Sequence, residues 1–228
     1  MPGSAPSGEF SGLLRGDFQS VPAWNYRTLS HYAAWIVIGS GLYGAAMGWW
    51  HSPLQAFYVA VKFPLIILLT AGGNALINGM LAPQLGLNMS FRESLAANLM
   101  SYTISSAILG AFAPIIWFMV WNAPAARSFT DYSLFLFLHV AAIAIAGIAG
   151  NARMLGALVK WGGSPAAANR VLWAWLATNL FLGSQCSWIL RPFIGAPGLP
   201  VEFVRNNALK GNFYESLAHS FLHLLNKK

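Results

Sequence analysis

Apolar residues run along this chain in five long, unbroken blocks, at about residues 31–50, 63–81, 94–120, 132–151 and 166–190. Charged residues fall almost entirely between them. The blocks are continuous rather than alternating, which excludes the roughly ten-residue alternating strands of a membrane β-barrel. A helix rises 1.5 Å per residue, so about 20 residues cross a hydrocarbon core of about 30 Å. Backbone in lipid must satisfy its own hydrogen bonds, so blocks of this length are expected to be helices. The pattern predicts an all-α, polytopic transmembrane helix bundle of about five spans over residues 31–191. A polar arm, 1–30, precedes it. A tail, 192–228, follows it and ends in an amphipathic helix at 212–226. There Phe213, Tyr214, Leu217, Phe221, Leu224 and Leu225 share one side.

The spans differ in character. The first ends in Trp49-Trp50, an interfacial signal. It carries Ser40, Gly44 and Gly48 at four-residue spacing, which lets another backbone approach closely. The fourth repeats this device with Ala142, Ala146 and Gly150. Ser52 and Pro53 read as the cap and first residue of a helix. Lys62 and Pro64 are expected to divide that helix into a short interfacial piece, 53–62, and a span, 63–81, with Lys62 snorkelling to the headgroups. Ser90 and Glu93 form a capping-box pattern ahead of the third span. Residues 152–165 read as a loop.

Polar residues concentrate in the second and third spans. Asn74 and Asn78 lie four apart and so share a helical face. Asn98, Ser101 and Ser105 follow in the third span, where Pro114 predicts a kink. Two readings stand: contacts that hold helices together, or a polar path between spans two and three. Either makes Asn74, Asn78, Asn98, Ser101 and Ser105 the residues of interest.

The chain has only 8% charged residues against 57% hydrophobic, too little charge to cover a soluble surface. Its net charge of +7 comes from scattered single Lys and Arg residues. That favours anionic headgroups over nucleic acid, which needs a clustered basic patch. With five spans the termini lie on opposite sides. Arg15, Arg27, Arg92, Arg153, Lys160 and Arg170 fall on the N-terminal side. Arg127, Arg191, Arg205, Lys210, Lys227 and Lys228 fall on the other, several of them far from a span, where they count less. The expectation is a multi-pass protein of a cytoplasmic or inner membrane, with its N-terminus in the cytoplasm. Residues 1–30 lack a cleavable signal pattern, so the first span is expected to serve as an uncleaved anchor.

Chemistry-bearing residues are few. His139 is the one histidine deep in a span, a position that suits either a hydrogen-bonded neutral imidazole or an axial ligand to haem or a pigment. Glu215, His219 and His223 fall at i, i+4 and i+8, which fits either a metal-binding face or the wetted side of an amphipathic helix. Cys186 is alone and reads as a packing residue. No carboxylate lies in a span core, and no nucleophile–base pair or phosphate-binding glycine loop is evident. No cofactor is required by the sequence.

Over residues 31–190 the chain resembles the Yip family (Ypt-interacting proteins) of five-span membrane proteins. The likeness rests on five close spans after a polar arm and on the Gly86 loop into Ser90-Phe91-Arg92-Glu93. It rests too on the hydroxyl-rich third span with Ser101-Tyr102 and Pro114. The tail beyond Leu190 is longer than the family's usual ending. The resemblance implies a non-enzymatic adaptor acting by contact within the membrane. Residues and resemblance together lead to a scaffold, adaptor or accessory subunit of a larger membrane complex, with other membrane subunits as partners. A small-solute transporter or channel is the alternative, and a pigment- or haem-binding subunit a third.

Overall fold

The structure is a computed structural model that describes residue 12 and residues 25–123, 129–162, 164–195 and 200–215. Its main elements are five α-helices: α1 (Tyr26–Trp49), α2 (Pro53–Gln84), α3 (Phe91–Trp121), α4 (Phe129–Gly162) and α5 (Pro165–Ile189). Strands are absent among the described residues. Three helices are long and apolar enough to cross a membrane: α2, α3, and α4 over Tyr132–Trp161. α1 and α5 are less apolar.

The helix starts are fixed by side chains that satisfy free backbone N–H groups. Asn25 Oδ1 accepts from Arg27 N, and Ser52 Oγ accepts from Gln55 N ahead of Pro53. Ser164 caps α5 in the same way, with Pro165 as its first residue. At α3 the full capping box forms: Glu93 N donates to Ser90 Oγ at 3.3 Å, and Ser90 N donates to Glu93 Oε2 at 2.8 Å. α2 ends where Gly86 takes a φ of +93°, a left-handed conformation that suits glycine.

Two segments depart from the sequence expectation. α2 runs unbroken through Lys62 and Pro64 for 32 residues instead of dividing there. Lys62 does not snorkel: its side chain is fully buried, and its ammonium donates to two backbone carbonyls. α4 continues through Arg153 and Lys160 to Gly162, where a loop was expected. Pro114 lies inside α3 without ending it.

α1 packs closely against α2 and α3; α4 lies against α3, and α5 against α2. The two helices consecutive in sequence, α4 and α5, touch least of the packed pairs. Small residues set the close approaches. A Cβ on Gly44 would stand 2.6 Å from Val59 O, and one on Gly48 2.6 Å from Gln55 O, so the predicted stripe on α1 seats α2. Ser40, also on that stripe, is buried and turns its hydroxyl onto Ile36 O. Gly39 approaches the Ser106 carbonyl of α3 more closely still. On α4, Gly150 meets Ser101 and Ser105 of α3, while Ala142 and Ala146 are buried.

Candidate functional site

The asparagines of the second and third spans form a single buried network. Asn74 Nδ2 donates to Trp175 O at 3.0 Å and to Asn179 Oδ1, both on α5. Asn74 Oδ1 accepts from Asn78 Nδ2 at 2.6 Å and from Asn98 Nδ2 at 3.1 Å. Asn98 also donates to Ser94 O one turn back. Asn74, Asn78 and Asn98 are fully buried. One amide therefore joins three helices, α2, α3 and α5. The sequence pointed to spans two and three but not to Asn179, because spacing reveals which residues share a helix face and not which helix that face meets. The oxygens Asn78 Oδ1 and Asn98 Oδ1 have no hydrogen-bond partner among the described residues.

Ser101 and Ser105 belong elsewhere. Ser105 Oγ donates to Ala146 O at 3.0 Å, across the α3–α4 contact. Both serines line a cavity of about 640 Å³ between α4 and α5, walled behind by α2 and α3. Thr70 and Asn179 also line it, and Asn179 links it to the amide network. Most of the lining is aliphatic or aromatic, including Phe63, Ile67, Leu136, Val140, Ile143 and Leu180. The volume falls in the range of about 300–1,000 Å³ usual for small-molecule sites. The cavity exists because α4 and α5 lean on α3 and α2 rather than on each other.

His139 lines this cavity and is buried. Its Nδ1 shares a 2.7 Å hydrogen bond with the Tyr43 hydroxyl of α1, and its ring sits edge-on to Tyr43. Nε2 is buried and has no hydrogen-bond partner among the described residues. An axial bond to haem or a pigment would form through that nitrogen.

At the cavity's other margin the segment after α5 folds back over the bundle. Lys62 Nζ donates to Pro192 O at 3.0 Å and to Glu202 O at 3.3 Å. It also lies near the rings of Tyr58, Phe193 and Phe203, the closest centroid at 5.0 Å. Gln55 Nε2, two turns earlier on the same face, donates to Pro192 O and Phe193 O. This clamp was not visible in the sequence, where Lys62 reads as a surface charge.

Asn212 Oδ1 accepts from Glu215 N at 2.9 Å, which starts a helix at 213–215. His219, His223 and the remainder of the expected amphipathic helix 212–226 lie outside the described residues, as does the arm apart from residues 12 and 25–30. Among the described residues no three His, Cys, Asp or Glu side chains gather as a metal site. Comparison of the chain with protein families, curated proteins and solved structures finds no match.

Proposed function

We propose that this is a five-span integral membrane protein that works by non-covalent binding within the bilayer. In this reading it is a scaffold or accessory subunit that holds a lipid-soluble guest between α4 and α5. The cavity of about 640 Å³ carries the reading: it is mainly apolar, lined in part by α2, α3 and α4, the three helices long and apolar enough to span, and suited to a hydrophobic molecule. The polar groups around it support contact rather than reaction, since the Asn74 network and Ser105 spend their hydrogen bonds between helices. A non-enzymatic role of this kind agrees with what the Yip-like resemblance implies.

The five-span count is supported by length. α1 and α5, at 24 and 25 residues, reach about 36 Å, beyond the hydrocarbon core. With five alternating crossings, Arg27, Arg92, Arg153, Lys160 and Arg170 share one side. The other side carries as many basic residues, but those after Arg191 lie partly far from a span, where they count less, so we assign the N-terminal side to the cytoplasm.

Gly147 supplies the test. It lines the cavity, and a Cβ built there meets nothing within 4 Å. Gly147→Trp should fill the space without disturbing the bundle. Protein extracted in native lipid discs should yield a stoichiometric hydrophobic guest on solvent extraction and mass spectrometry, and the variant should lack it. No guest in either protein, or the same guest in both, overturns the reading.

Ser101, Ser105, Thr70 and Asn179 along the cavity favour a second reading, passage of a small solute. Liposome flux discriminates. Transport should fall in Ser101→Val/Ser105→Val if solute follows these groups, whereas Asn74→Leu/Asn78→Leu tests the path between spans two and three. Absence of flux in the unaltered protein removes this reading.

A further inference from the structure

The cavity between α4 and α5 changes character along its length. On α4 its lining runs from Tyr132 to Asn151, about 28 Å at 1.5 Å per residue, close to the hydrocarbon thickness. Over this run the walls are mainly aliphatic and aromatic. At the end formed by the start of α4 and the close of α5, two guanidinium side chains line it: Arg191 and Arg205.

Neutral groups hold Arg191 in place. Nη1 donates to Trp188 O at 2.6 Å and Nη2 to Asn207 O at 3.5 Å, and the guanidinium stacks 3.7 Å over the Trp188 ring. Among the described residues, backbone carbonyls and an indole face orient the group and leave its unit charge uncancelled. Burial, and then the neighbouring Arg205, hold Arg191 below the usual guanidinium range. Two like charges beside one apolar channel repel each other, and an anion between them relieves that repulsion. The planar fork of arginine matches the oxygens of a phosphate. A long apolar channel ending at two cations has the form of an anionic amphiphile.

We infer that the cavity holds one acyl chain of an anionic bilayer phospholipid, with the lipid phosphate seated between Arg191 and Arg205. The inference rests on the cavity reading above and adds the headgroup. The bilayer is the source because the channel lies among helices that border lipid, and its cationic end sits just beyond Ile189, the last residue of α5.

The full-length protein, delipidated in detergent, is offered equal amounts of phosphatidylglycerol and phosphatidylcholine with identical chains. Native mass spectrometry then reads the retained lipid. The expected result is one phosphatidylglycerol per chain, favoured by about tenfold or more, as charge-assisted bidentate contacts provide. Arg191→Gln/Arg205→Gln should bring the preference near unity, and Arg191→Lys/Arg205→Lys should restore only part of it, because lysine keeps the charge without the planar fork. Arg205→Gln alone, distant from the α5 terminus in sequence, should lower it if the double variant does not fold. Gly147→Trp should retain neither lipid. Equal retention of the two lipids, or an unchanged preference in the glutamine variants, overturns the headgroup assignment. If Gly147→Trp still expels lipid in that case, the cavity reading survives. Undiminished lipid in Gly147→Trp overturns both. Displacement of phosphatidylglycerol by equimolar oleate overturns the phospholipid as the source.

Discussion

At the residue scale, this bundle is held by two opposite devices: side chains that are missing and side chains that are polar. Gly150 shows the first. A Cβ there would meet Ser105 Oγ and stand 2.8 Å from Ser101 O, so Gly150→Ala must push α4 from α3. Overpacking of this kind costs about 1–3 kcal/mol. Gly147→Ala, one turn away and facing open space, should leave the midpoint of thermal unfolding in detergent unchanged, whereas Gly150→Ala should lower it. Asn74 shows the second device. Asn74→Leu removes bonds to Trp175, Asn179, Asn78 and Asn98 at once. Interhelical hydrogen bonds in membranes contribute about 0.6 kcal/mol each and up to about 1.7. The expected loss is about 2–4 kcal/mol, measured by detergent-denaturation titration, while Asn151→Leu, at a residue whose amide, among the described residues, bonds Gly147 O within its own helix, should lose far less. The small-residue stripes and the clustered asparagines were both legible in the sequence, since each depends only on spacing along one helix. Their partners, Asn179 and the Val59 and Gln55 carbonyls, were not, because they depend on how helices are arranged.

At the element scale, the continuity of α2 is the clearest departure from expectation. A lysine and a proline within three residues read locally as a break. The helix persists because the lysine is answered from elsewhere in the fold and the proline costs a single backbone bond. Pro64 removes one donor and frees the carbonyl one turn earlier, Ala60 O, which lies against Gly41 of α1, where a Cβ would stand only 3.3 Å away. Lys62 finds its acceptors in the segment after α5. Lys62→Met should therefore leave helix content by circular dichroism unchanged, yet release the backbone at Pro192 and Glu202. Limited proteolysis should cut that segment at least several-fold faster, and equal cleavage of the two proteins would remove the clamp. α4 was underestimated for a different reason. At 34 residues it is about 51 Å long, well beyond the hydrocarbon core, so its last turns carry Arg153 and Lys160 as ordinary helical surface.

At the scale of the whole molecule, alternating helix directions place the two loop sets at opposite ends. The Asn88 turn belongs to the end where α1 begins. Asn206 belongs to the end where α5 stops. In a Cys186→Ser background, Asn88→Cys and Asn206→Cys should label with an impermeant maleimide from opposite sides of sealed vesicles, Asn88→Cys from the cytoplasmic side. Labelling from one side would overturn the proposed odd number of crossings. The all-helical class was readable from the chain because backbone in lipid has few alternatives. The cavity was not readable. It arises from α4 and α5 failing to close on each other, a property of packing that no single segment encodes.

Lys62 also carries a consequence for how the molecule is made. Its acceptors, Pro192 O and Glu202 O, lie 130 and 140 residues later in the chain. In the proposed five-span arrangement α2 is inserted long before they emerge, and an ammonium without partners in lipid is costly. In that arrangement Lys62 gains its acceptors only when the last segment docks, so the contact that closes the bundle forms at its carboxyl end. A nascent chain interrupted before Pro192 would display an unanswered cation at the membrane surface, a chemical mark by which a quality-control protease could tell unfinished copies from finished ones.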